Sequence, residues 1–99
     1  MSLLEISVIP VGSNTASFSS NVSKAVELIK GKGLNYQVTP TATVIEGNID
    51  QLMEIAKDIH QNELNSGTQR VVTNISIDDR IDKPLTLTSQ VEIVQQGVN

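Results

Sequence analysis

Few side chains in this 99-residue chain can do chemistry. His60 is the single histidine, and cysteine is absent. A nucleophile triad needs a base, and the only ordinary one here is His60. It falls mid-helix beside an apolar stripe, where a packed or rim histidine is expected rather than a catalytic one. No serine stands in a G-x-S-x-G turn, and Gly12 is a lone glycine in a polar loop, not a phosphate-cradling run. Lack of cysteine excludes disulfides, thiolate chemistry and cysteine-built metal sites. Asp78, Asp79 and Asp82 with Glu46 are the one oxygen set suited to Mg²⁺ or Ca²⁺. Arg80 and Lys83 interrupt it and no EF-hand spacing exists, so the expectation is a solvated corner with Arg80 paired to a neighbouring carboxylate. No motif calls for a metal or a cofactor.

Three other positions invite attention. Ala42 is small for a central strand, and Thr73 puts a hydroxyl on an apolar face; together they allow a small pocket between sheet and helices. The competing arrangement has Met53 or Phe18 filling the space over Ala42 and Thr73 bonded to backbone. Glu46 ends a strand beside Gly47. At a pocket rim its carboxylate would accept hydrogen bonds from an amine or an aminopyrimidine; otherwise it reaches to water.

The elements that must hold these residues follow from periodicity. Alternation from about Leu3 to Ile9 predicts a strand that Pro10 closes. The polar loop VGSNTAS follows. Val22, Ala25, Val26 and Ile29 mark one face of a helix over Phe18–Lys32, capped by Ser17 or Ser19 and stopped by Gly31 or Gly33. Tyr36–Thr39 and Thr41–Glu46 read as two strands about Pro40, with one long bent strand as the rival. Asn48 and Gln51 have capping-box spacing for a helix reaching about Asn65, its inner stripe Ile49, Leu52, Met53, Ala56, Ile59 and His60. Ser66-Gly67 ends it. Arg70–Asp78 alternates again, and Leu87, Val91, Val94 and Val98 suggest a last helix over about Leu85–Gln96.

The first six elements are the βαββαβ order of a ferredoxin-like α+β fold: one antiparallel sheet, two helices on one face, plus a C-terminal helix. Residues 1–99 make one domain. An acylphosphatase on this fold would want an arginine after the first strand, and a copper chaperone would need a cysteine pair; neither is present.

Seven Lys and Arg against eleven Asp and Glu leave a net charge of −4, and the only aromatics are Phe18 and Tyr36. A basic footprint for nucleic acid or an anionic membrane is missing, as is a base-stacking platform. No apolar run approaches a membrane span and none has the form of a signal peptide, so a reducing, cytoplasmic setting is expected. The helix-covered sheet face is expected to hold Leu4, Ile6, Val8, Val38, Val44, Val71, Ile75 and Ile77. The opposite face then carries Glu5, Ser7, Ile9, Gln37, Thr41, Thr43, Ile45, Val72, Asn74 and Ser76. Ile9, Ile45 and Val72 there are either scattered surface apolars or a self-association surface.

Four segments together resemble the small thiamine-binding protein family (YkoF-like): ISVIPVG (6–12), SFSSNVSKAVELIK (17–30), YQVTPTATVIEG (36–47) and RVVTNISIDDR (70–80). The resemblance spans Leu4 to Val94. It implies a ferredoxin-like fold assembled into homo-oligomers, often tetramers, and non-enzymatic binding of thiamine or its hydroxymethylpyrimidine part, in vitamin precursor supply or transport. The ligand contacts it implies are Val8 and Pro10 before the end of the first strand, and Ala42 with Thr43. Thr41 and Glu46 are implied polar neighbours and Thr73 the floor. Some relatives carry a hydroxyl where this chain has Ala42, a departure that leaves room but removes a hydrogen bond. The alternative is an oligomeric structural or regulatory module without a small ligand.

Overall fold

Apolar residues two apart in Leu4, Ile6 and Val8 commit the first segment to a strand, and every other element is arranged around it. The structure is a computed structural model that describes residues 1–12 and 18–87, the side chains of 18–21 excepted. In chain order the elements are β1 (Ser2–Pro10), α1 (Phe18–Gly31), β2 (Asn35–Val38), β3 (Thr43–Gly47), α2 (Ile49–Asn65) and β4 (Val71–Asp78). The sheet runs β2-β3-β1-β4, antiparallel throughout, with β1 between β3 and β4. Both helices cover one face: the α+β, ferredoxin-like arrangement. The expected cap at Ser17 or Ser19 and most of the expected last helix lie outside the described residues.

The stops and starts have local causes. α1 ends at Gly31, and Gly33 follows at φ +71 as Leu34 N–H reaches back to the Ile29 carbonyl, a left-handed exit that glycine makes without steric cost. The box at the start of α2 is closed both ways: Gln51 N–H donates to Asn48 Oδ1 at 2.8 Å, and Asn48 N–H donates to Gln51 Oε1 at 3.2 Å. Between β2 and β3 the chain turns through Thr39–Ala42. The Thr39 hydroxyl donates to the Ala42 carbonyl at 2.9 Å and accepts from Ala42 N–H at 3.1 Å. A hairpin, not one bent strand, is therefore what Pro40 interrupts.

Leu4, Ile6, Ile29, Ile45, Leu52, Ile55, Ala56 and Ile59 form the core. Two expectations about facing are corrected. Leu4 pairs with Ile45, and Ile6 with Thr43, so Ile45 and Thr43 face the helices while Val44 and Glu46 lie on the open face. The register with β1 decides this, because β3 alone offers an apolar β-branched residue in either phase. Ile45, fully buried, therefore cannot join an exposed association surface. In α2 the buried stripe is Leu52, Ile55, Ala56, Ile59 and Glu63. Ile49 and Met53 are 41% and 48% exposed, because the helix is rotated to bring Ile55 inward.

On the open face Leu3 is buried at one end of the sheet, and Leu85 is buried as well. Leu87 N–H donates to Glu46 Oε2 at 2.9 Å, so the chain beyond β4 returns to that end.

Candidate binding pocket

At the other end of the sheet, where the hairpin caps β1 and β3, a cavity of about 120 Å³ lies between sheet and helices. β1 lines it from Ile6 to Ile9, and α1 contributes Val22 and Ala25. The hairpin and its strands supply Val38, Thr39 and Thr41–Thr43, and α2 supplies Ile59 and Glu63. The walls are mostly aliphatic because β1, the β2–β3 hairpin and both helices meet there. An enclosed apolar void of about 150 Å³ accepts one benzene ring, and this cavity is of the same order of size.

Of the residues expected at a ligand, Val8, Thr41, Ala42 and Thr43 line this cavity and the other three do not. Pro10 ends β1 opposite Val71. Glu46 is in the open-face phase, its carboxylate bonded to Leu87 N–H and, at 3.3 Å, to Asn35 Nδ2. Thr73 Oγ1 is hydrogen-bonded to His60 Nδ1 at 2.6 Å, a side-chain partner where a backbone one was the expected alternative. His60 is thus a packed histidine on the β4 side of α2. Ala42 lies in the hairpin loop rather than mid-strand. Met53 does not fill the space beside it, and the Phe18 side chain lies outside the described residues.

The residue sequence reasoning missed is Glu63. It is 3% exposed, lines the cavity and accepts from the Thr68 hydroxyl at Oε1, 3.1 Å away. The signal was present in the spacing: 52, 55, 56, 59 and 63 are one helical face, and its last member is a glutamate.

Two surface ion pairs lie away from the cavity among the described residues. Lys32 Nζ meets Glu54 Oε1 at 3.0 Å, which raises the lysine pKa. In the 78–83 corner Arg80 donates through Nε and Nη2 to both Asp82 oxygens, at 2.8 and 2.6 Å. That fork holds the Asp82 carboxyl at about 2. Among the described residues no three His, Cys, Asp or Glu side chains gather to hold a metal ion, and no helix is long and apolar enough to cross a membrane.

Fold and cavity together define a small ferredoxin-like domain with a ring-sized apolar pocket under its helices. The chain belongs to the thiamine-binding protein family, which it matches over residues 4–95. It is 38% identical to the UPF0045 protein YqgV of Bacillus subtilis, over 97% of this chain and 96% of that one. It is also 38% identical to a UPF0045 protein of Methanothermobacter thermautotrophicus, over 95% and 96%. Among solved structures, the hypothetical protein MJ1052 of Methanocaldococcus jannaschii superposes with a TM-score of 0.85 at 34% identity, covering 96% of each chain. A Thermotoga maritima protein provisionally named for thiamine biosynthesis or salvage shares the fold at TM-score 0.76 and 24% identity, covering 94% of this chain and 97% of that one.

Proposed function

We propose that this chain, acting as one domain over 1–99, binds thiamine or its hydroxymethylpyrimidine moiety reversibly and without catalysis, in supply or transport of the vitamin precursor. The observation that carries the reading is the ring-sized aliphatic cavity with a buried carboxylate in its lining. Its volume suits the pyrimidine and leaves the thiazolium outside. A net charge of −4 favours that cationic end near the mouth. The non-enzymatic reading is supported by the position of the single histidine, which is hydrogen-bonded to Thr73 and absent from the cavity lining. A cysteine-free chain fits a reducing, cytoplasmic setting.

Burying about 100 Å² of ring at about 25 cal/mol per Å² contributes about 2.5 kcal/mol. One hydrogen bond to a charged group adds about 1.5–3 kcal/mol, which brings Kd to about 0.1–1 mM. Isothermal titration of the full chain should give saturable heat with thiamine and with hydroxymethylpyrimidine, and none with the thiazole alcohol alone. No saturable heat from either pyrimidine at tenfold above that range rejects the reading.

A second reading, assembly into a homo-oligomer (dimer or tetramer), is favoured by a specific strip. His60 fixes the side of α2 that meets β4. Met53 lies seven residues before it and Ile49 eleven, both on that same side by helical period. On β4, Ile75 and Ile77 share the Thr73 face. All four apolar residues are 41–48% exposed, and β4 is a sheet edge. A second copy covering this strip would bury it and pair the edge. If titration finds no ligand while assembly persists, the structural-module reading replaces the carrier.

A further inference from the structure

Among the described residues Glu63 is the only buried ionisable side chain. Its hydrogen bonding is incomplete. A carboxylate has room for about four donors, yet among the described residues the Thr68 hydroxyl at Oε1 is the single one, and neither ion pair there involves it. Buried charges in proteins are ordinarily paired. This one lines a cavity whose other walls are mostly aliphatic, Ile6, Val8, Ala25 and Ile59 among them, and whose remaining polar side chains, Ser7, Thr39, Thr41 and Thr43, carry neutral hydroxyls. The Thr39 hydroxyl is occupied in closing the hairpin.

We propose that Glu63 is the specificity-determining residue of the pocket: its second carboxylate oxygen takes an N–H donor of the ligand, the exocyclic amino group of a flat nitrogen heterocycle. The inference rests on the binding function proposed above and adds to it the group that chooses the ligand. An acceptor set in an aliphatic slot welcomes an amino group. It disfavours a carbonyl at the same ring position, because two acceptors would then face each other without water between them. Thr68 fixes the arrangement, since its hydroxyl occupies Oε1 and leaves Oε2 for the ligand.

The experiment compares thiamine with the analogue bearing a carbonyl in place of the pyrimidine amino group, each titrated calorimetrically into the full chain and into Glu63→Gln. A hydrogen bond to a buried charge, made or left unmade, is worth about ten- to hundredfold in affinity. The wild type should prefer the amino ligand by that factor. In Glu63→Gln the Thr68 hydroxyl still finds the amide oxygen, so an NH₂ group faces the cavity; the preference should shrink at least tenfold or reverse. Equal weakening of both ligands by the variant, or an unchanged preference, would mean that Glu63 only packs and would overturn the proposal. A wild type that binds both equally overturns it too, while leaving the pocket intact as a binding site; a wild type that binds neither removes the site itself. Circular dichroism establishes that the variant folds. Should it not, Thr68→Val releases the carboxylate from its clamp and should reduce the preference, an unchanged value again counting against the proposal.

Discussion

The phase of β3 is the most consequential feature to test, because it puts Thr43 at the pocket and Glu46 on the far face. Ile45→Ala and Val44→Ala probe it directly. Ile45 is fully buried between its register partners Leu4 and Tyr36, with the α2 stripe above it. Removing a buried aliphatic side chain costs about 2–5 kcal/mol, more where the site cannot collapse. A core position in a strand paired on both sides collapses poorly, so about 4 kcal/mol is expected. With an m-value near 1.5 kcal/mol per M in urea, the midpoint falls by about 2.5 M. Total stability for a chain this size is about 5–15 kcal/mol, so the variant stays folded but fragile. Val44 is half-buried on the open face beside Glu5 and Gln37; its truncation should cost about 1 kcal/mol and shift the midpoint by about 0.7 M. Urea titrations followed by circular dichroism at one fixed protein concentration separate the two, the fixed concentration removing any effect of assembly. Equal shifts, or a larger one for Val44→Ala, would refute the register and with it the pocket's construction.

Other expectations follow from single contacts. Ile75→Asp puts a charge on the α2–β4 strip at a 42% exposed position; light scattering should show a lower molar mass with an unchanged circular dichroism spectrum, and an unchanged mass places any interface elsewhere. Asn48→Ala removes the side-chain acceptor of the α2 capping box and should cost about 1 kcal/mol in urea unfolding; a loss below a few tenths would mean that water replaces the cap. The Asp82 carboxyl, ordinarily near 3.9, should titrate at about 2 by NMR because the Arg80 fork favours its ionised form. The depressed value means the pair's contribution is present above the ordinary carboxylate range and lost as pH falls through about 2. Arg80→Ala should return the midpoint toward the ordinary value with little change in stability, since the pair is exposed.

The fold was legible because its elements punctuate themselves. Pro10 and Pro40 limit the strands, Asn48 with Gln51 opens α2, and Ser66-Gly67 closes it. What stayed hidden was rotation about the element axes. β3 carries Val44 and Ile45 side by side, and only pairing with Leu4 selects between them. In α2, Ile49 and Met53 look as apolar as Ile55, and their exposure depends on where β4 ends up. The pocket was half legible for the same reason. Ala42 stood out by its small size, whereas Val8, Thr41 and Thr43 were reached only through the family resemblance, the alternation of the segment having put Thr41 and Thr43 on the open face. Glu46 was assigned to the wrong face along with the rest of β3, and Glu63 passed unnoticed because a glutamate near a helix end reads as a solvated charge.

The covering of the open face is lopsided, and that has a spatial consequence. Leu3 is buried at the end to which the chain returns, but Ile9 and Val72, cross-strand neighbours at the opposite end, are 48% and 40% exposed. Ile9 belongs to the stretch of β1 that walls the cavity, and Val72 pairs with it from β4. A neighbouring molecule settling on that half of the sheet would press against the back wall of the ligand slot, so crowding there and occupancy in front become readings of one strand.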